Sequence, residues 1–297
     1  MPPSEAEFNS RLPSAPKIII AVPARLGSTR LKNKPLASLG GQPLIVRVAE
    51  RVQRCLLQIQ KNLSLLEEDT LALVATDSSE IHKALHASNL RVEMTPPELP
   101  SGTDRVEYAL RGLYPAELGA LSPDTLVVNL QGDEPFFCIE DILSLIKAME
   151  QNPTCPMGTL AFRNKSAMQF ITPSCVKVVR NDAGEALYFS RSPIPWPRAL
   201  WGASAPLGNA PEAQLKGDDF AFLQHVGVYA FRLAALQKFA KLEPSSLELT
   251  EGLEQLRALD AGWKIQVVDA TDAPFGIDTQ DDLARASEHI KKMELTL

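Results

Sequence analysis

In the first half of the chain, short apolar runs alternate with segments whose apolar residues recur at helical spacing. The strand-length runs lie at 18–22, 71–75, 92–94 and 126–130. The helical segments lie at 43–55, with continuation expected beyond Cys55, and at 78–87, 104–113 and 139–149. Pro23 is expected to end the pairing of the first strand. Thr103 is expected to cap the helix predicted at 104–113. Strands that alternate with helices in this way predict an α/β fold, with a mainly parallel sheet flanked by helices.

From residue 156 onward the pattern changes. Two strand-like runs, 176–180 and 186–190, flank a turn at 181–184, which predicts a hairpin. Prolines at 193, 195 and 197 exclude a helix or a central strand there. Further segments predict a strand at 225–231, a helix at 247–259, a strand at 265–268 and a helix after 276–279. We expect a flexible N-terminal extension at 1–16 and a single domain at 17–297, with a hairpin lobe inserted at about 156–230.

Composition narrows the class of protein. The 297 residues carry a net charge of -6 with a pI near 5.4, which disfavours non-specific binding to nucleic acid or to an anionic membrane. The four cysteines form no C-x-x-C pair, and no apolar run approaches the length of a membrane span. No signal peptide is evident at the N-terminus. These features predict a cytoplasmic protein with no membrane or nucleic-acid partner.

A basic loop follows the first predicted strand. Between Pro23 and Pro35 it carries several positive charges, two hydroxyls and one glycine. Backbone N–H groups, hydroxyls and cations in such a loop are suited to a polyphosphate. The spacing matches neither a P-loop nor a dinucleotide-binding motif. A solvated surface turn is the alternative interpretation.

Two aspartates occupy similar positions in predicted loops. Asp133 follows a buried strand, and Asp278 lies in a turn that begins with Gly276. Carboxylates delivered from loops suit Mg²⁺, which takes oxygen ligands and shares them with substrate phosphates. The alternative is that Asp278 caps the last helix and Asp133 only makes a turn.

Taken together, the motifs resemble one family. In chain order they are PARLGSTRLKNKPL at 23–36, ATD at 75–77, SGTDR at 101–105, QGDEP at 131–135, YFSR at 188–191, IPW at 194–196, HVGVYAF at 225–231, LEQLR at 253–257 and GIDT at 276–279. This set resembles the 3-deoxy-manno-octulosonate cytidylyltransferases, which are also called CMP-Kdo synthetases. The resemblance implies a Rossmann-like nucleotide-diphospho-sugar transferase fold, a homodimer and dependence on Mg²⁺. It also implies transfer of CMP from CTP to Kdo, an acidic sugar of lipopolysaccharide.

The resemblance also implies a role for each matching residue. The predicted catalytic residues are Arg25, Arg30, Lys34, Asp133 and Asp278, of which Asp133 and Asp278 are expected to hold magnesium. Phosphate contacts are expected from Ser28 and Thr29 as well, and a cytidine pocket from Thr76, Ser101, Gly102, Thr103 and Arg105. The residues expected to face the sugar are Gln131, Arg191, His225, Tyr229, Glu254 and Gln255.

Several alternatives remain at this point. Glu254 could be a solvent-facing helical residue, and His225 a structural histidine. The substrate could be a related acidic sugar, either 8-amino-Kdo or a sialic acid, although sialic acid synthetases usually carry a loop closer to PARGGSK. A catalytically silent nucleotide-binding protein on the same fold is the alternative from another class. The segments 1–16, 56–69 and 198–217 look longer than is usual in the family, which affects expectations about the dimer and a lid.

Overall fold

The computed structural model describes residues 15–27, 31–88, 90–114, 121–201 and 220–294. Most of the predicted N-terminal extension at 1–16 and most of the 198–217 segment therefore lie outside the described residues. The chain divides into two compact units. Unit 1 comprises Met1–Phe136, Arg232–Gln237 and Gly276–Leu297, and unit 2 comprises Phe137–Phe231 and Lys238–Phe275. The predicted lobe at 156–230 falls within unit 2.

Unit 1 contains a four-stranded parallel sheet. Its strands are β1 (Ile18–Ala24), β4 (Thr70–Thr76), β5 (Arg91–Met94) and β6 (Leu126–Asn129), and a short ribbon is formed by β2 (Ser38–Leu39) and β3 (Gln42–Pro43). In the sheet, β1 pairs with β6 on one side and β4 on the other, and β5 pairs with β4. Every residue of β1, β4 and β6 is buried, as expected for parallel strands covered on both faces.

Helices follow the strands of unit 1. They are α1 (Leu44–Leu63), α2 (Ser79–Ala84), α3 (Gly102–Leu113) and, at the C-terminus, α10 (Gln280–Glu294), with 3₁₀ turns at Lys34–Leu36 and Glu67–Asp69. The apolar residues of α1 recur at helical spacing and are buried, which confirms the prediction from its sequence. Ser101, and not Thr103, caps α3, because the Ser101 hydroxyl accepts a hydrogen bond from the Asp104 amide.

Pro23 lies inside β1, so the expectation that it ends the strand is wrong. It pairs with Ala75 of β4, whereas the pairing of β1 with β6 stops at Ala21. On the β6 side, a residue beyond Ala21 no longer needs to donate to a ladder. A proline is tolerated at such a position because it lacks only the backbone N–H.

Unit 2 is built on a mixed sheet. Its elements, in chain order, are α4 (Ile139–Gln151), β7 (Met157–Asn164), α5 (Ala167–Ile171), β8 (Lys177–Arg180), β9 (Ala186–Ser190), α6 (Arg198–Trp201), β10 (Phe222–Arg232), α7 (Leu233–Phe239), α8 (Ser246–Glu251), α9 (Leu256–Asp260) and β11 (Ile265–Ala270). Within it, β7 pairs antiparallel with β10 and parallel with β11, and β8 pairs with β10 and β9. The predicted β8–β9 hairpin is confirmed. The segment Arg232–Gln237, which contains the last residue of β10 and most of α7, belongs to unit 1.

The single helix predicted at 247–259 is two helices. Gly252 ends α8 with a φ of 61°, a left-handed conformation that glycine adopts without steric cost. Its amide donates to the Glu248 carbonyl, and α9 then begins at Leu256. Among the helices of the described residues, none has the length and hydropathy needed to cross a membrane.

Candidate active site

In unit 1, one ammonium group bridges two carboxylates. Lys34 Nζ donates to Asp133 and, over 2.9 Å, to Asp278 Oδ1. The Lys34 side chain is 14% exposed, against 29% for Asp133 and 40% for Asp278. The structure therefore brings together three residues that were predicted to be catalytic, although 99 and 244 positions separate Lys34 from its partners.

Local backbone structure places these three side chains. Lys34 begins a 3₁₀ turn after Asn33, which has a φ of 53°. The Ile277 amide donates to the Asp133 carbonyl over 3.0 Å, and the Ile277 side chain is fully buried. Because of this hydrogen bond, the loop that carries Asp133 is held beside the residue that precedes Asp278.

Asp278 is not the cap of the last helix, so that alternative is wrong. The Thr279 hydroxyl accepts from the Asp282 amide over 3.2 Å, and Asp282 Oδ2 accepts in return from the Thr279 amide over 2.9 Å. Such reciprocal bonds form a capping box at the start of α10. The Asp278 carboxylate instead faces Lys34.

The cluster of Lys34, Asp133 and Asp278 carries a net negative charge. Burial disfavours the charge on Lys34, but attraction to Asp133 and Asp278 outweighs it, so the pKa of Lys34 is raised. The pKa of neighbouring Glu134 is raised to about 8, by burial and then by repulsion from Asp133 and Asp278. Glu134 is therefore mostly protonated at neutral pH, which leaves one positive charge against two negative ones.

The donor atoms of this cluster fit a magnesium ion in part. Asp133 and Asp278 supply carboxylate oxygens, which Mg²⁺ prefers. No group of three or more His, Cys, Asp or Glu side chains arranged for a metal occurs in the described part of the chain. A magnesium ion held here would thus take its other ligands from water and from substrate phosphates, as it commonly does.

The residues predicted for a cytidine pocket lie around the start of α3 and the end of β4. Ser101 caps α3, and Gly102 begins it at a position where a Cβ atom would lie only 3.0 Å from Pro23 Cγ. Thr76 is fully buried, and its hydroxyl accepts from the Ser78 amide over 3.2 Å. Thr103 is also buried, 3.4 Å from Asn129 Nδ2. The roles of these residues in binding cytidine stay predictions.

Arg105 is only 2% exposed and has several protein partners. Its guanidinium donates to Thr95, to the Pro96 carbonyl over 3.2 Å and to Asp77 Oδ2 over 3.1 Å. Burial lowers the pKa of Arg105, Asp77 opposes that shift and the charge of Arg25 adds to it. These contacts show that Arg105 fastens α3 to the ends of β4 and β5.

The remaining candidates of unit 1 belong to two loops. Arg25 follows β1 directly and is exposed, and Gln131 precedes the Asp133 turn. Ser28, Thr29 and Arg30, which were predicted to contact phosphate, lie outside the described residues.

Unit 2 holds the other predicted sugar residues, beginning with Arg191 at the end of the β8–β9 hairpin. Its guanidinium donates to three backbone carbonyls: that of Glu251 through Nε over 2.7 Å, that of Pro173 through Nη1 over 3.1 Å and that of Gly252 through Nη2 over 3.2 Å. Two of these carbonyls lie at the C-terminal end of α8, where a positive charge is favourable.

Two charged residues beside Arg191 were missed by the sequence analysis. Lys177 Nζ donates to the carbonyls of Thr172, Cys175 and Arg191. Glu251 accepts from the Ser190 hydroxyl over 2.6 Å and from the Arg191 amide over 2.9 Å. The signal that could have identified Lys177 is its position inside an apolar strand, where lysine is rare.

His225 lies on β10 and is neutral at physiological pH, because burial lowers its pKa to about 3. Its Nε2 is 3.0 Å from the Thr159 hydroxyl, which itself donates to the Val228 carbonyl over 2.7 Å. Since that hydroxyl proton is already used, His225 Nε2 must carry the proton and donate, which leaves Nδ1 as the acceptor.

Tyr229 and Gln255 form a hydrogen-bonded pair near the start of α9. The Tyr229 hydroxyl donates to Gln255 Oε1 over 3.0 Å. Gln255 is 3% exposed, and its buried Nε2 has no partner among the described residues. A buried donor without a partner costs free energy, so this amide is a candidate for a ligand contact. Glu254 is partly exposed and lies in the connection between α8 and α9, not within a helix.

Comparison with known proteins assigns these sites to a family. The family described as cytidylyltransferase matches residues 18–265. The chain belongs to the cytidylyltransferase family. Within it, the 3-deoxy-manno-octulosonate cytidylyltransferase of Polynucleobacter asymbioticus is 40% identical over 280 residues, which cover 94% of this chain and 98% of that protein. The enzyme of the same name from Xanthomonas oryzae pv. oryzae is 40% identical over 282 residues, with the same coverage of both chains.

Solved structures agree with this assignment. A CMP:2-keto-3-deoxy-manno-octonic acid synthetase complexed with CTP has a TM-score of 0.75 at 34% identity and covers 93% of this chain and 99% of its own. A 4-diphosphocytidyl-2C-methyl-D-erythritol synthase from Anaerococcus prevotii has a TM-score of 0.50 at 15% identity, with the same coverage. The second likeness concerns the fold alone. The predicted fold class and the cytidylyltransferase resemblance are confirmed.

Proposed function

We propose that this chain transfers CMP from CTP to the anomeric hydroxyl of Kdo and releases pyrophosphate. Relatives named for this activity match nearly the whole chain at about 40% identity. The structural observation that carries the proposal is the meeting of Lys34, Asp133 and Asp278 in unit 1. A catalytically silent protein would have no need to keep two carboxylates and a cation together at this position.

In this proposal, unit 1 handles the triphosphate. Arg25, Arg30 and Lys34 bind phosphate oxygens and offset the charge that develops on the departing pyrophosphate. Asp133 and Asp278 would hold Mg²⁺, whose chemistry here is to withdraw charge from phosphate oxygens and to lower the pKa of a hydroxyl bound to it. Because Lys34 offsets only one of the two negative charges, it competes with a metal for these carboxylates, which still attract a further cation.

Unit 2 supplies the groups that suit an acidic sugar. Arg191 is the cation among its predicted sugar residues, and it pairs with the sugar carboxylate. Gln255 Nε2 is a donor without a partner in the described residues, and His225 Nδ1 is an acceptor, so both suit sugar hydroxyls. With a pKa of about 3, His225 is too weak a base to remove the hydroxyl proton.

The finer parts of the proposal rest on the resemblance to the family. The enzyme acts as a homodimer in the cytoplasm and depends on Mg²⁺. Kdo is favoured over 8-amino-Kdo and over sialic acids, and CTP over UTP. A site that accepts a hydrogen bond from the amine of cytosine disfavours uracil, which presents a carbonyl there.

Pyrophosphate release tests the proposal directly. The purified protein is assayed with CTP and, in turn, Kdo, 8-amino-Kdo and a sialic acid, with UTP replacing CTP in a parallel series. We expect turnover with CTP and Kdo at the highest kcat/KM of the set. Release with a sialic acid alone would replace Kdo by that sugar as the substrate. Binding of CTP without release in any combination would favour the silent nucleotide-binding protein.

A further inference from the structure

Lys177 is a fully buried cation on β8, between Val176 and Val178. Its ammonium has three N–H groups, and it donates to three carbonyls, those of Thr172, Cys175 and Arg191. Burial lowers its pKa, and the attraction of Cys175 and Glu251 opposes that shift. Removing an ammonium from water is costly, and a neutral aliphatic side chain would fit an apolar strand with less penalty. The three hydrogen bonds to carbonyls therefore indicate that Lys177 holds backbone segments in position.

One of these backbone segments is that of Arg191, which is held on both sides of its Cα atom. Its carbonyl accepts from Lys177, and its amide donates to Glu251 Oε2 over 2.9 Å. Glu251 also accepts from the Ser190 hydroxyl, so the residue before Arg191 is held as well. The two flanking charges thus fix the peptide groups on both sides of the Arg191 Cα.

The Arg191 guanidinium is held by hydrogen bonds to backbone carbonyls. Its guanidinium has five N–H groups, and the described contacts use three of them on backbone carbonyls of Pro173, Glu251 and Gly252. The two others belong to Nη1 and Nη2, whose described hydrogen bonds lie at exposed positions. Carbonyls orient a guanidinium without neutralising it. With Lys177, Arg191 and Glu251 together, the cluster keeps a net positive charge.

We propose that Lys177 and Glu251 are positioning residues, which fix Arg191 so that its remaining N–H groups receive the carboxylate of the acidic sugar. This inference rests on the proposed function, since Arg191 is the predicted partner of that carboxylate. A planar guanidinium recognises a carboxylate only in a defined orientation, so freedom of its backbone weakens sugar binding. Outer-shell partners that orient metal-binding residues contribute about 10- to 100-fold to affinity or activity, and we expect an effect of similar size here.

The test uses Lys177→Met and Glu251→Gln, with Lys264→Met as the control. Lys264 lies in the same unit, and its ammonium pairs with Glu185 over 2.6 Å at the surface. We expect each test variant to raise the KM for Kdo at least about tenfold while the KM for CTP stays unchanged. The control should keep both constants. Glu251→Gln preserves the shape of the side chain and carries the test if Lys177→Met does not fold.

A double-mutant cycle separates positioning from general loss of structure. Each variant is combined with Arg191→Gln, and the increase in the KM for Kdo should then be no larger than for Arg191→Gln alone. Additive increases, or an equal rise in the KM for CTP, would overturn the inference. If the wild-type protein releases no pyrophosphate with any acidic sugar, the proposed function fails together with it. Wild-type turnover with an unchanged KM for Kdo in both variants overturns the positioning role alone.

Discussion

Each unit surrounds a lysine with oxygen atoms, but the oxygens are of different kinds. In unit 1, Lys34 faces the carboxylates of Asp133 and Asp278. In unit 2, Lys177 faces three backbone carbonyls, and the same is true of the guanidinium of Arg191. Carboxylates cancel the charge of a cation, whereas carbonyls satisfy its hydrogen bonds and leave the charge in place.

This difference determines which ligand each cluster favours. The cluster of unit 1 has one positive and two negative charges, so it favours an additional cation. The cluster of unit 2 has two positive charges and one negative charge, from Glu251, so it favours an anion. Lys34 is also partly exposed, whereas Lys177 is fully buried. A metal and a sugar carboxylate would therefore each find a complementary charge.

The largest effect is expected from the carboxylates of unit 1. Asp133→Asn and Asp278→Asn each retain size and polarity but remove a negative charge. We expect kcat to fall by about 10²- to 10³-fold, the loss typical of a group that stabilises transition-state charge. The affinity for CTP should change little, because the cations of the basic loop remain. Steady-state kinetics and calorimetry with CTP measure the two quantities.

Asp282→Asn is the matched control for Asp278→Asn. Asp282 belongs to the capping box of α10, and its carboxylate also accepts from the Asp278 amide. Its replacement by Asn should lower the free energy of unfolding by at most about 1 kcal/mol and leave kcat near the wild-type value. If Asp278→Asn behaves like Asp282→Asn, with turnover retained at limiting Mg²⁺, the metal role of Asp278 is wrong.

The second-largest effect is expected from Arg191, in the cluster of unit 2 that favours an anion. Arg191→Gln removes the positive charge that is proposed to bind the sugar carboxylate. We expect the KM for Kdo to rise by about 10- to 100-fold, as when a charge-assisted hydrogen bond is lost. Arg180→Gln is the control, because Arg180 also donates to a carbonyl, that of Val267, and to Asp269 Oδ1. An equal rise in both variants would show that loss of any arginine in unit 2 has this effect.

The third prediction concerns metal affinity and tests whether Lys34 competes with a metal for Asp133 and Asp278. In the protein without nucleotide, Lys34→Met leaves Asp133 and Asp278 without their ammonium. We expect Mn²⁺, used as a probe for Mg²⁺, to bind about tenfold more tightly to this variant, because the two carboxylates then attract it without competition from Lys34. Electron paramagnetic resonance of free Mn²⁺ measures the affinity. Weaker binding than in the wild type would mean that Lys34 supports the metal site.

The elements that were predicted correctly have strong local patterns. β1 and β4 are apolar throughout, and α1 has a regular apolar stripe. β7 was missed because its buried residues include Gly158 and Thr159, so it shows neither alternation nor a continuous apolar run. The break between α8 and α9 depends on the left-handed conformation of Gly252, and a glycine near a helical pattern does not by itself reveal it.

The candidate site shows a similar division. Lys34, Asp133 and Asp278 were identified because motifs placed them in loops after strands and before a helix. Lys177 and Glu251 lie outside those motifs, and their importance comes from contacts with the backbone of Arg191. Such contacts join residues 14 and 60 positions away from Arg191, which a local pattern cannot show.

The smallest effect tests whether His225 stays neutral in the folded protein, which would leave Arg191 as the cation for the sugar carboxylate. The folded-state pKa of His225 is about 3, below the ordinary value of 6.5 that applies when the chain is unfolded. Between these two pH values the imidazole is protonated in the unfolded state but not in the folded state. The stability that comes from keeping His225 neutral is therefore complete above pH 6.5 and is lost as the pH falls below it. At a pH of about 5.5 the loss should be about 1 kcal/mol relative to a pH of about 7.5. His225→Gln, which keeps a donor for Thr159, should lose correspondingly less stability over this range in urea unfolding. If the two proteins lose stability in parallel, His225 titrates normally in the folded state, and its imidazolium competes with Arg191 as the partner of the sugar carboxylate.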